Sequence, residues 1–119
     1  PRFAARMEAA GNKMLTLSRQ TMRKNAYTSW ETVINESIVR AAVARYFIDN
    51  GMTHDEIRQS ITVEVATGFW WMPGLVKCLA VYSSHRDRYP TLDTYYDCLI
   101  RFFDGFADSQ LAEIDSAIQ

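Results

Sequence analysis

Two residues in this chain have the types and spacing for chemistry: Glu36 and Arg40, four positions apart in the stretch from Val33 to Ile48, which is otherwise mostly apolar. Four residues is close to one helical turn, so on a helix the two side chains project from the same side. At about 100° per residue, Val33, Val43 and Phe47 share that side, which sets a carboxylate among hydrocarbon. Such a group is expensive to bury unless it is paired, protonated or bound to a metal. One solution is an intrahelical ion pair, with Glu preceding Arg in the favourable order. The other makes Glu36 a metal ligand or catalytic carboxylate, with Arg40 anchoring another buried acid or the chain terminus of a neighbour. The spacing alone leaves both open.

The remaining candidates are sparse. His54 and His85 are the two histidines, and neither belongs to a His-Glu-x-x-His or other metal-ligand spacing. Both read as solvated surface groups. Cys78 and Cys98 lack paired zinc spacings and are too few for a disulfide scaffold, so they read as buried free thiols in apolar helical surroundings. No serine sits in a Gly-x-Ser-x-Gly elbow, and no glycine-rich phosphate loop occurs. Phe69, Trp70 and Trp71, with Tyr82, Tyr89, Tyr95 and Tyr96, form a dense aromatic supply. Rings of this size bury large areas and usually build core; the other use is a cleft wall or a partner-facing patch. The sequence holds no self-sufficient active site, so this chain is not expected to be a complete enzyme.

The elements that position these residues are helices. From residue 1 to about 25, Phe3, Met7, Ala10, Met14, Leu17 and Met22 recur at helical spacing, with Gly11 as a weak point or a close helix contact. Thr28 and Glu31 have the form of a capping box and open a second helix, which Asn50-Gly51 should close near residue 49. Because it is apolar on nearly every side, it is expected to be the buried central helix of the fold. Thr53 with Glu56 starts a third helix, running to about Val65 before the break at Gly68. Pro73 suits the first turn of a fourth helix reaching about Ser84. A polar loop to Pro90 follows, then a fifth helix capped by Thr91 or Asp93 and ending near Gly105, with a short terminal helix after Asp108. No stretch alternates with period two long enough to be a strand. The expected fold is all-α, a compact bundle of about five helices around a central helix at about 29–49, in one domain over residues 1–119.

Composition agrees with a folded domain and excludes some functions. Apolar residues make up 48% and charged residues 23% of 119, in the globular range. A chain of this length buries roughly two-thirds of its unfolded surface, enough for one real core. Thirteen basic and fourteen acidic residues are interspersed, giving a net charge of −1. That balance disfavours nucleic acid and anionic membrane surfaces as partners, and no basic recognition helix is present. No run approaches the ~20 apolar residues of a membrane span, and no signal-peptide pattern appears. The chain opens Pro1-Arg2-Phe3 without an initiator Met and enters helical sequence at once, so it reads as a fragment whose upstream portion has been cut away or left out. Its first expected partner is then the upstream portion of the same protein. An apolar face left uncovered would favour self-association.

Two stretches together resemble an uncharacterised domain family with zincin-like, metallopeptidase-like features. The first is the Tyr27-Thr28-Ser29-Trp30-Glu31 segment continuing through Asn35-Glu36-Ser37 to Arg40-Ala41. The second runs from Gly68-Phe69-Trp70-Trp71 through Leu75-Val76, Tyr82, Arg86 and Tyr89-Pro90-Thr91-Leu92 to Phe102-Phe103. The resemblance implies that this chain is the C-terminal helical portion of a larger zincin-like domain whose upstream part carries a His-Glu-x-x-His helix, with Glu36 as the third ligand of a zinc ion and Arg40 as the partner that orients it or sits behind it. It implies no cofactor and no catalysis for this chain by itself, since both His ligands and the proton-accepting Glu lie outside it. The contrasting expectation is a non-catalytic helical interaction or scaffolding module, in which Glu36 and Arg40 are an ion pair and the aromatics form a partner groove.

Overall fold

The computed structural model describes residues 3–24 and 29–118, and in the first helix side chains only as far as residue 16. Five α-helices and one short 3-10 turn account for the secondary structure of these residues: α1 Ala4–Lys24, α2 Trp30–Asp49, α3 His54–Thr67, α4 Met72–Ser84, the 3-10 turn Leu92–Tyr95 and α5 Tyr96–Ile118. The fold is an all-α bundle.

Its boundaries follow from local chemistry. Thr53 and Glu56 form the expected reciprocal capping box, each side chain meeting the other's backbone N–H. The expected box at Thr28 falls outside the described residues. Ser29 caps α2 instead, its Oγ accepting from the Thr32 N–H at 3.3 Å. Gly51 and Gly68 stand just past α2 and α3 with φ of 90° and 121°. Side chains resist that left-handed backbone, so each glycine closes its helix without steric penalty. Pro73 sits in the first turn of α4, where its missing N–H would have had no intrahelical partner.

Helix α2 packs against α1, α3 and α4, while α1 also lies along α5. The core is one cluster to which α1 gives Met7, Ala10 and Met14, and α2 gives Val33, Ile34, Ile38 and Ala41. Phe69, Trp71 and Leu75 enter it around the start of α4, and Tyr95, Leu99, Phe103 and Ala107 from the last segment. Gly11 is the close helix contact that its position suggested: a Cβ there would stand 2.7 Å from Trp30 Cε3 and 3.2 Å from Ile34 Cγ1. Outside the core, α1 is tied to α5 by ion pairs from Arg6 to Asp97 and from Lys13 to Asp104 and Asp108.

Two expectations need correction. Helix α2 is buried on one face only: Val39, Val43, Tyr46 and Phe47 are 59%, 49%, 63% and 40% exposed. Apolar composition states what a residue prefers, and these four prefer a cover that the described residues do not provide. The fifth helix does not stop near Gly105 but continues to Ile118 as one element. Gly105 faces open space, so it costs helix propensity of about 1 kcal/mol without breaking anything, and Phe103 and Ala107 carry the buried stripe across it.

Candidate functional site

Glu36 and Arg40 meet on α2 as their spacing suggested. Arg40 Nε donates to Glu36 Oε2 at 3.3 Å. Arg40 Nη1 also donates to Glu64 Oε2 at 2.9 Å, which joins α2 to α3. The same guanidinium lies over the Phe69 ring, Cζ 4.7 Å from its centroid. A planar cation with several donors serves this geometry, since two carboxylates and a ring face can engage it at once. The cluster is partly wet: the side chains of Arg40, Glu36 and Glu64 are 31%, 41% and 20% exposed.

Phe69, in turn, is fully buried and meets Trp71 edge to face, with centroids 5.8 Å apart. The Trp71 indole N–H donates to Ser37 Oγ at 2.8 Å, and Ser37 Oγ–H donates to the Val33 carbonyl at 2.6 Å. Ser37 is wholly buried, beside Glu36 in sequence. A chain of contacts thus runs from Glu36 through Arg40, Phe69 and Trp71 to Ser37.

The candidate aromatics therefore divide. Phe69 and Trp71 are core, Trp70 is 43% exposed, and Tyr89 is half-buried with its ring 4.8 Å from that of Tyr95. His54 and His85 are both exposed, as expected; His85 Nδ1 lies 3.0 Å from the Val81 carbonyl oxygen. The two cysteines are free but only half-buried, which corrects the expectation of fully buried thiols. Tyr95 Oη donates to the Cys78 carbonyl at 2.7 Å and lies 3.5 Å from its Sγ. Burial raises the pKa of the Tyr95 phenol and of the Cys78 thiol.

Sequence reasoning missed Glu64 and Ser37. Glu64 sits near the end of α3, where no pattern pointed to α2. Ser37 carried a signal, since a polar residue stood among positions 33, 34, 38 and 41 of the apolar face and a buried tryptophan needs an acceptor. Among the described residues no group of three His, Cys, Asp or Glu side chains is arranged to hold a metal ion. What the cluster brings together is two carboxylates, Glu36 and Glu64, on one guanidinium.

Residues 4–102 match the family described as a domain of unknown function (DUF4932). No curated protein and no solved structure matches the chain.

Proposed function

The chain belongs to the family of the domain of unknown function DUF4932, and from that premise we propose that it is the helical part of a zincin-like, zinc-dependent hydrolase acting on peptides. Glu36 contributes one metal ligand and Arg40 positions it. The observation that carries this reading is the way Glu36 is held. Arg40 donates to its Oε2, also meets Glu64 and the Phe69 ring, and leaves the Glu36 side chain 41% exposed. A carboxylate ligand is normally oriented in this manner by a partner behind it. A carboxylate whose only task is to balance Arg40 would be redundant with Glu64, which makes the shorter contact.

Bound zinc would supply a Lewis acid and a water of lowered pKa. This chain's part is narrower: Glu36 offers the carboxylate and Arg40 orients it, with the Phe69 ring packed against the arginine. The two His ligands and the proton-accepting Glu come, on this reading, from a His-Glu-x-x-His segment outside these residues. A full-length sequence without that motif would end the proposal. Its functional test is peptide hydrolysis by the full-length protein, abolished by a chelator, restored by zinc and lost in Glu36→Gln. Chelator-insensitive hydrolysis, or an active Glu36→Gln protein, would contradict it.

A second reading, a helical interaction module, is favoured by the apolar stripe Val39, Val43, Tyr46 and Phe47 along the outside of α2. A patch of this kind on a folded domain marks a covered surface. Under that reading Val43→Asp abolishes partner capture or self-association and leaves metal content unchanged.

A further inference from the structure

Away from Glu36, an open cavity of about 460 Å³ lies where the start of α1, the start of α2 and the beginning of α5 come together. Its size falls in the range of roughly 300–1,000 Å³ usual for small-molecule sites. Three aromatic residues line it, Phe3, Trp30 and Tyr96, together with two exposed acidic residues, Glu31 from α2 and Asp93 from the 3-10 turn. Phe3 and Tyr96 are in ring contact, with centroids 5.7 Å apart and planes tilted by 43°. Trp30 is seated on Gly11, where a Cβ would already be too close, so its position is fixed by the α1–α2 contact. Asp93 is near enough to Tyr96 to help burial raise the pKa of that phenol. No hydrogen bond or ion pair joins the Glu31 or Asp93 carboxylate to another described residue.

We propose that this cavity is a binding site for a small organic cation, an alkylated ammonium of the quaternary type. Aromatic faces attract a cation through the negative potential above each ring, tryptophan most strongly. A quaternary ammonium is weakly hydrated, spreads its charge over methyl groups and makes no hydrogen bonds, so rings suit it better than they suit a primary amine. The two carboxylates add long-range attraction without direct contact. They come from different elements, converge on one cavity with the three rings, and belong neither to the Arg40 cluster nor to the ion pairs between α1 and α5. Acids in a first helical turn also interact favourably with the helix dipole. That accounts for Glu31 and Asp93 separately, and not for their meeting around three aromatic rings. The site is independent of the metal reading, because Glu36 takes no part in it.

The test compares choline with its uncharged isostere 3,3-dimethylbutan-1-ol, titrated into the protein while the Trp30 indole N–H is followed by two-dimensional NMR. The expected result is saturable movement of that signal by choline, with the alcohol at least about fivefold weaker, as the loss of a cation–π contribution demands. In Asp93→Asn and Glu31→Gln, choline affinity falls about two- to fivefold per carboxylate while that of the alcohol is unchanged, which separates charge from any loss of fold. Ethanolamine should bind less well than choline. Equal binding of choline and the alcohol would reduce the site to an apolar hollow and overturn the proposal. So would the absence of choline binding, or choline affinity indifferent to the removal of both carboxylates.

Discussion

Changing Ser37 to alanine deletes a single oxygen and, with it, two hydrogen bonds of unequal value. The oxygen is completely buried, donates to the Val33 carbonyl at 2.6 Å and accepts from the Trp71 indole at 2.8 Å. The Val33 carbonyl keeps its helical neighbours, so losing the first bond matters little, and alanine regains about 0.5 kcal/mol of helix propensity. The indole N–H is different. Trp71 is 1% exposed and packed edge to face on Phe69 and Phe106, so no water can replace the lost acceptor. A buried donor left unpaired costs about 1–3 kcal/mol, and the net expectation for Ser37→Ala is a loss of about 1–2 kcal/mol. For a chain of this size that is a fall of about 3–10 °C in the thermal midpoint. Urea unfolding followed by circular dichroism measures it directly. A double-mutant cycle with Trp71→Phe isolates the pair, because phenylalanine has no donor to strand. In the Trp71→Phe background, Ser37→Ala should be nearly neutral or slightly stabilising, giving a coupling of about 1–2 kcal/mol. Equal cost in both backgrounds would refute the reasoning and show that Ser37 acts through packing alone.

Other perturbations test neighbouring parts of the fold. Gly11→Ala forces a methyl to within 2.7 Å of Trp30 Cε3, so it should destabilise by about 1–3 kcal/mol despite better helix propensity, as read from urea midpoints. Arg40→Met, which removes two partly exposed ion pairs and a ring contact, should cost about 0.5–2 kcal/mol by the same measurement. Stability should also fall at alkaline pH: burial raises the Tyr95 phenol and Cys78 thiol above their ordinary values, so the unfolded chain loses those protons first. This part of the stability is therefore intact at neutral pH and lost as the pH rises from about 9 to beyond 10, and Tyr95→Phe should flatten the decline seen in thermal melts.

The degree to which the fold was legible varied with the kind of signal. Capping boxes, a proline in a first turn and glycines with positive φ act through a few neighbouring atoms, and Thr53, Glu56, Pro73, Gly51 and Gly68 marked their boundaries correctly. Gly105 misled because a glycine facing solvent inside a helix carries only a propensity penalty, which the burial of Phe103 and Ala107 outweighs. The outer face of α2 was illegible for another reason. Val39, Val43, Tyr46 and Phe47 look the same in sequence whether another surface covers them or not. Within the site, the Glu36–Arg40 pair was readable because four residues on one helix fix the geometry. Glu64 and Phe69 reach Arg40 only through the turn between α2 and α3 and the end of α3, and no local pattern encodes that approach.

The most direct test of Glu36 as a ligand is the zinc content of the purified full-length protein, measured by elemental analysis for wild type, Glu36→Gln and Glu64→Gln after circular dichroism has verified that all three are folded. Glu64 is the control, since it neutralises the same arginine at 2.9 Å from the opposite helix. If Glu36 is a ligand, wild type and Glu64→Gln each hold about one zinc per chain, and Glu36→Gln loses most of it. Equal zinc in all three proteins, or none in the wild type, would contradict that role and leave Glu36 as one carboxylate of a structural charge cluster.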